Sequence, residues 1–112
     1  MKFTDTQLKY LLIFDRLSEN GRVRIVDIAK EFNINRSSAF NMLLKLQDAG
    51  LVVKNENRSV ELTGEGRNLA EILRKEVKAV QEKLIKYFGM DTENSEECAL
   101  IVMSYMKNGQ AE

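Results

Sequence analysis

Residues 22–50 contain two short helical patterns separated by a tight polar turn, an order that few folds share. The first helix is predicted from about Val26, because its apolar residues recur at helical spacing. These residues are Ile28, Ala29 and Phe32. Asn33-Ile34-Asn35 is typical of a turn, and Asn35 is a favourable N-cap for a second helix that Gly50 ends. This stretch therefore predicts a helix-turn-helix.

A hairpin pattern and a long helix follow directly. Leu51-Val52-Val53 and Val60-Glu61-Leu62 are predicted strands on either side of a polar tip. Thr63 and the glycines after it should begin a helix that runs to about Tyr87. This order predicts a mostly α fold with a small β wing, a winged helix-turn-helix followed by a helical extension.

Further helices are predicted at both ends of the chain. Thr4-Asp5-Thr6-Gln7 has the pattern of a capping box, so a helix should begin there and end at Asn20-Gly21. A last helix should begin at Ser95, where acidic residues favour a helix start. Val23 and Ile25 suit a very short strand. We therefore predict a winged domain at residues 1–66 and a helical dimerisation extension at residues 67–112.

Composition argues against enzymatic activity. The chain has no histidine, so the commonest general base and metal ligand is absent. It also has no phosphate-binding loop and no dinucleotide-binding motif. Glu96-Glu97 fit charges at a helix start better than catalytic carboxylates. We expect a protein that is not an enzyme.

Other sequence features bear on the compartment. The single cysteine, Cys98, cannot form an internal disulfide, which suits a reducing environment. No apolar run approaches the roughly 18 residues that a membrane-spanning helix needs, and the N-terminus lacks the pattern of a signal peptide. We expect a cytoplasmic protein that does not enter the membrane.

The second helix of the motif and the hairpin tip carry side chains suited to DNA. In this fold that helix usually lies in the major groove. The candidate DNA contacts are Arg36, Ser37, Ser38, Asn41, Lys45, Lys54 and Arg58. Arginine and asparagine can reach base edges, whereas serine and lysine suit phosphates. The sequence predicts a regulator of double-stranded DNA. Residues 1–70 carry 11 lysines and arginines against 9 acidic residues, so we expect modest, salt-sensitive affinity unless the protein dimerises.

Phe40 and Leu44 are unusual on such a helix, because they alternate with the inward-facing residues. They could contact thymine methyl groups, anchor a protein partner, or form a rim of the core beneath the first helix. The second possibility defines an alternative function, a winged-helix interaction module that no longer binds DNA.

The long helix and the last helix carry more apolar surface than a small winged domain can cover. The residues that we expect to be buried by dimerisation are Leu73, Val77, Val80, Leu84, Leu100 and Met103. Self-association would cover them, so the predicted assembly is a homodimer.

Three segments resemble the DtxR/MntR family of metal-dependent iron and manganese repressors, over roughly residues 7–107. They are VRIVDIAKEFNINRSSAFNMLLKLQDAGLV, NRSVELTGEGRNLA and KLIKYFGMDTENSEECA. The resemblance implies a homodimeric repressor in which Ser37, Ser38 and Arg58 match residues that contact DNA. Arg36 stands where the family usually has proline, and Phe40 where it often has threonine. MarR-type regulators, which dimerise through helices that flank the wing, are an alternative at the level of the fold.

The metal site that this resemblance implies does not carry over. Its ligand positions fall on Lys9, Leu12, Lys78, Leu100, Met103 and Ser104. None of these offers the carboxylate or imidazole that manganese or iron(II) prefers, and the lysines place positive charge where a cation should bind. We expect a regulator without a metal corepressor or other cofactor. A soft copper(I) site from Cys98, Met103 and Met106 is the alternative.

Overall fold

The computed structural model describes residues 4–19 and 21–110, with side chains as far as residue 107. The described residues form five helices and a three-stranded sheet, which confirms a mostly α fold with a small β wing. In chain order the elements are α1 (Asp5–Ser18), β1 (Val23–Arg24), α2 (Ile25–Phe32), α3 (Arg36–Asp48), β2 (Val52–Lys54), β3 (Ser59–Leu62), α4 (Gly64–Phe88) and α5 (Thr92–Gln110).

The three strands form an antiparallel sheet in the order β1-β3-β2. Val23 of β1 pairs with Val60 of β3, so the short strand before the helix-turn-helix lies beside the hairpin. Ile25, which we predicted to belong to this strand, instead begins α2. The reason is local, because the Arg24 amide donates to the Asp27 carboxylate at 2.8 Å and thereby fixes the helix start.

Two predicted helix starts have the expected side-chain bonds. The Gln7 amide donates to Thr4 Oγ1 and the Thr4 amide donates to Gln7 Oε1, both at 3.0 Å. Asn35 Oδ1 accepts from the Ser38 amide at 2.8 Å at the start of α3. These bonds satisfy amides that a helix leaves free, so both caps are confirmed. α1 ends at Ser18, and the predicted stop at Asn20 lies outside the described residues.

The last helix begins earlier than the sequence predicted. α5 starts at Thr92 rather than Ser95. Asp91 Oδ1 accepts from the Asn94 amide at 2.7 Å, so Asp91 provides an N-cap that the acidic pattern at residues 95–97 obscured. Gly89, with φ of 66°, ends α4 in the left-handed conformation that glycine adopts without strain.

Contacts divide the chain into two compact units, Leu11–Ala70 and Met1–Tyr10 with Glu71–Glu112. The first is the winged unit and the second is the helical unit. α1 and α4 each contribute residues to both units. The predicted division after residue 66 lies in the first turn of α4.

The winged unit has a continuous apolar core. Its buried apolar residues are Leu11, Phe14, Val23, Ile28, Ala29, Ala39, Leu43, Leu46, Leu51, Val52, Val60, Leu62 and Ala70. They come from α1, α2, α3, α4 and all three strands, so the sheet and the helix-turn-helix bury one another's apolar faces. Met42, predicted to face inward, is half-buried.

The start of α4 lies against the end of the helix-turn-helix. Thr63 Oγ1 donates to the Gly50 carbonyl at 2.6 Å and accepts from the Gly66 amide at 3.0 Å. Gly66 is buried, and a Cβ atom at this position would lie 2.1 Å from the Leu51 carbonyl oxygen. The backbone approach therefore requires glycine at residue 66.

In the helical unit, α4 and α5 are joined by polar contacts as well as apolar burial. Gln81 Nε2 donates to the Thr92 carbonyl at 3.1 Å, and Lys107 Nζ donates to Glu76 at 2.8 Å. Leu73 and Leu100 are buried. No helix in the described part of the chain is long and apolar enough to cross a membrane.

Candidate nucleic-acid interface

All seven residues that we predicted to contact DNA are exposed. Five lie on α3 and two lie on the wing, which we define as β2, β3 and the turn between them. They are Arg36, Ser37, Ser38, Asn41 and Lys45 on α3, and Lys54 and Arg58 on the wing. Their positions allow contact with a partner, and their contact with DNA stays a prediction.

A surface cavity of about 310 Å³ brings three of these residues together. We call it the basic cavity, and its lining residues are Arg24, Ile25, Val26, Arg36, Lys54, Asn57 and Arg58. Four of the seven carry a positive charge and none carries a negative charge. Within the described residues, Arg24, Arg36 and Arg58 form no ion pair. The cavity therefore attracts anions.

The sequence did not lead us to Arg24 and Asn57 as candidate site residues. Arg24 pairs with Ser59 in the β1–β3 ladder, which brings it close to the wing. Only the strand order reveals this proximity, because Arg24 precedes the helix-turn-helix and the wing follows it. Asn57 lies in the polar tip, where its side chain has a structural role.

The wing turn is held by a compact set of hydrogen bonds. The Asn55 amide donates to the Ser59 carbonyl at 2.8 Å, and the Arg58 amide donates to the Asn55 carbonyl at 3.2 Å. Asn57 Oδ1 accepts from the Ser59 hydroxyl at 2.6 Å. Arg58 has φ of 67°, a left-handed backbone conformation that residues other than glycine adopt at a cost in free energy. The turn therefore fixes the backbone of Arg58 beside the basic cavity.

Phe40 and Leu44 differ in their surroundings. Phe40 is half-buried, and Lys54 Nζ lies 4.9 Å from the centre of its ring, a cation–π contact. Leu44 is 40% exposed. Both line a small crevice with Ile25 and Val52. These contacts favour the core-rim hypothesis, although the observed partner of Phe40 is the wing rather than the first helix. A protein partner at these residues gains no support.

The residues at the family's metal-ligand positions do not suit manganese or iron(II). Lys9 and Leu100 line a cavity of about 160 Å³ together with Glu93, Glu96 and Glu97. A lysine ammonium and an aliphatic side chain cannot donate to a metal ion. Among the described residues, no group of three or more histidine, cysteine or acidic side chains is arranged to hold one. The described residues therefore do not offer the ligands that the resemblance implies, and regulation without a metal stays a prediction.

Most of the predicted dimerisation residues are covered within the single chain. Leu73, Val77, Leu100 and Met103 are buried, and Val80 and Leu84 are half-buried. The large apolar side chains that α4 and α5 expose are instead Ile72, Ile85, Tyr87, Phe88, Ile101, Tyr105 and Met106. The total apolar content of these two helices predicts an interface, but it does not distinguish the face that packs inside the chain. A dimerisation role for the six predicted residues stays untested.

Comparison with solved structures identifies several similar folds. The hypothetical protein SSo2273 from Sulfolobus solfataricus is 26% identical, with a TM-score of 0.67 over 96% of this chain and 91% of that protein. The manganese regulator SloR is 24% identical, with a TM-score of 0.74 over 94% of this chain and 48% of SloR. MepR, a transcription regulator of the Staphylococcus aureus multidrug efflux pump MepA, is 17% identical, with a TM-score of 0.59 over 92% and 77%.

These structural similarities do not allow the functions of SloR or MepR to be assigned to this chain. The chain spans about half the length of SloR, so the activity of that whole protein does not follow for this chain. At the low identities to SloR and MepR, the likeness shows the fold alone. It therefore does not assign the chain to the metal-dependent repressors. No curated protein sequence matches the chain.

A family model decides the assignment. The model described as the MarR family matches residues 3–59, just over half of the chain. This match includes α2, α3 and most of the wing, which contain all seven predicted DNA contacts. The chain therefore belongs to the MarR family and is a non-enzymatic winged-helix transcription regulator.

Proposed function

We propose that the protein is a homodimeric repressor that binds double-stranded DNA through α3 and the wing without a metal corepressor. The observation that carries this proposal is the basic cavity, where Arg36 from α3 meets Lys54 and Arg58 from the wing. Cations on two adjacent elements, without an acidic side chain among them, suit the closely spaced phosphates of a duplex. Repression is the expected sign because a protein bound over a promoter excludes other proteins from it.

The exposed residues of α3 divide into two roles. Arg36 and Asn41 are the candidates for base contacts, because their side chains can make paired hydrogen bonds to guanine and adenine edges. Ser37, Ser38 and Lys45 suit phosphate oxygens, which fix the position of the helix in the groove. Lys54 and Arg58 would then contact a flanking phosphate or the minor groove.

Exposed apolar residues at the end of α4 and on α5 support the dimer. Tyr87 is 69% exposed, Phe88 is 76% exposed and Tyr105 is 81% exposed. Exposing several large apolar side chains on neighbouring helices is unfavourable in water, and a second copy of the chain would cover them. A dimer with twofold symmetry presents two α3 helices, so its DNA site should be an inverted repeat.

The first test is duplex affinity as a function of salt and metal. We expect the logarithm of the association constant to fall linearly with the logarithm of the KCl concentration. Micromolar manganese or iron(II) should leave the affinity unchanged, since no group of three or more histidine, cysteine or acidic side chains among the described residues is arranged to hold a metal ion. Fluorescence anisotropy with a labelled duplex measures both effects. A metal-induced gain in affinity would contradict the absence of a corepressor.

Replacing Arg58 with glycine should separate stability from binding. Arg58→Gly removes the left-handed strain of an arginine, so we expect a gain of about 1 kcal/mol and a melting temperature higher by a few degrees. The same variant removes a cation from the basic cavity, so duplex affinity should fall about fivefold.

Asn33→Gly is the control for this experiment. Asn33 also has a left-handed backbone, with φ of 53°, but it ends α2 and does not line the basic cavity. This variant should keep the duplex affinity of the wild type. A loss of stability in Arg58→Gly, or an unchanged affinity, would contradict the prediction.

A further inference from the structure

We propose that the basic cavity binds one backbone phosphate of the duplex and that Arg24 is a binding residue for it. This inference rests on the proposed DNA-binding function and adds a third element, the start of α2, to the contact surface. It also separates a phosphate contact, which is independent of sequence, from the base contacts expected of α3.

Three elements converge on the cavity. Arg24 is the last residue of β1 and the N-cap of α2, Ile25 and Val26 begin α2, and Arg36 is the first residue of α3. Two helix N-termini at one cavity add their partial positive charges to those of the side chains. The wing completes the lining with Lys54, Asn57 and Arg58.

The charge of Arg24 is available for a partner. The acidic residue closest to it along the following helix is Asp27, whose carboxylate accepts from the Arg24 backbone amide at 2.8 Å. Within the described residues, the Arg24 guanidinium forms no ion pair. Side-chain replacement would leave the backbone bond to Asp27 in place. Arg24 can therefore be tested without removing the cap of α2.

The size of the cavity fits a phosphate group. A volume of about 310 Å³ is large enough for a phosphate group and part of its hydration shell. Ile25 and Val26 are half-buried and line the same cavity. Apolar side chains beside the charges reduce screening by water, which strengthens the attraction between guanidinium and phosphate.

A phosphate of a bound duplex fits these observations better than a free ion. Arg24, Arg36 and Arg58 are all exposed. The cavity therefore opens at the first residue of the helix that we expect to enter the groove. A duplex seated on α3 would bring its backbone to this opening.

The test compares Arg24→Ala with Arg22→Ala. Arg22 is exposed and does not line the cavity. The Arg22→Ala substitution therefore removes the same charge as Arg24→Ala at a position outside the cavity. We expect Arg24→Ala to reduce the salt slope by about one and to lower affinity about five- to tenfold at 0.1 M salt. Arg24→Ala should lower the affinity for a preferred duplex and for an unrelated duplex by the same factor. Arg22→Ala should retain the wild-type slope.

A second measurement locates the phosphate. Methylphosphonate replaces one duplex phosphate at a time by a neutral group. At one position in the duplex, methylphosphonate should lower the affinity of the wild type as much as the Arg24→Ala substitution does. The same methylphosphonate should not lower the affinity of the Arg24→Ala variant any further. If every replacement weakens the two proteins equally, Arg24 does not contact a phosphate and the proposal is wrong.

Two controls separate the possible failures. Inorganic phosphate at constant ionic strength should displace duplex from the wild type more effectively than from Arg24→Ala, because both would occupy the same cavity. Inorganic phosphate that binds the wild type, but not Arg24→Ala, and leaves duplex affinity unchanged would assign the cavity to free phosphate and overturn the proposal. If Arg36→Ala weakens binding while Arg24→Ala equals Arg22→Ala, this inference fails and the proposed function stands. If the wild type binds no duplex, the proposed function fails as well.

Discussion

Gly66→Ala should destabilise the protein by about 3 kcal/mol or more, enough to lower the melting temperature by at least 10 °C. The added Cβ atom would lie 2.1 Å from the Leu51 carbonyl oxygen and 3.2 Å from Leu62 Cδ2. The first contact is with backbone, so no side-chain rotation relieves it. Either α4 or the segment before β2 must move, which would disturb the Thr63 bonds that join them. Thermal unfolding followed by circular dichroism measures the effect.

Gly64→Ala provides a matched comparison in the same helical turn. Nothing lies within 4 Å of a Cβ atom at Gly64. Alanine favours the helix over glycine by roughly 0.5–1 kcal/mol, so this variant should be as stable as the wild type or more so. Equal melting temperatures for the two variants would contradict the close approach at Gly66.

Arg36→Ala should lower affinity for a preferred duplex about 10- to 100-fold, which corresponds to roughly 1.4–2.8 kcal/mol. Arg36 is exposed at the first position of α3 and lines the basic cavity, so its side chain can reach both the groove and the backbone. Loss of a paired contact to guanine should also relax the preference at one base pair. Binding to a set of duplexes with single substitutions measures both effects.

Lys83→Ala is the charge-matched control for Arg36→Ala. Lys83 is exposed on α4, outside the residues that line the basic cavity. Its removal changes the net charge by the same amount, and we expect no change in sequence preference. Lys45→Ala should show a smaller loss than Arg36→Ala that is equal for all duplexes, as expected of a phosphate contact. Equal losses in Arg36→Ala and Lys83→Ala would contradict a direct contact by Arg36.

Local signals in the sequence predicted the fold well. The capping box at Thr4 and Gln7 and the N-cap at Asn35 depend on residues three positions apart, so the sequence alone contains the necessary information. The order of helices and strands in the winged unit follows from apolar spacing and from glycine stops. Asp91 is an exception, because the stronger acidic pattern at residues 95–97 concealed a local cap.

Contacts between distant residues could not be predicted in the same way. Arg24 joins the basic cavity only because β1 pairs with β3. Phe40 lies beneath Lys54 of the wing, which its position in α3 does not reveal. Leu73 and Leu100 are buried inside the chain, whereas their apolar character alone had suggested an interface. Each of these features depends on tertiary packing.

The family assignment shows a related limit. The residues that resembled the metal-dependent repressors include helix caps, glycine stops and apolar positions that winged helices share. Such residues report the fold, whereas the ligand positions at Lys9 and Leu100 would report the metal chemistry. The match to the MarR family over residues 3–59 agrees with this distinction.

The most direct test of the central claim is selection of bound sequences from random duplex DNA, with and without manganese. A dimer that presents two α3 helices should enrich an inverted repeat, with half-sites about one helical turn apart. The same repeat should be enriched in both conditions. Failure to enrich any sequence would contradict DNA recognition by α3 and the wing. Enrichment only with manganese would contradict regulation without a metal.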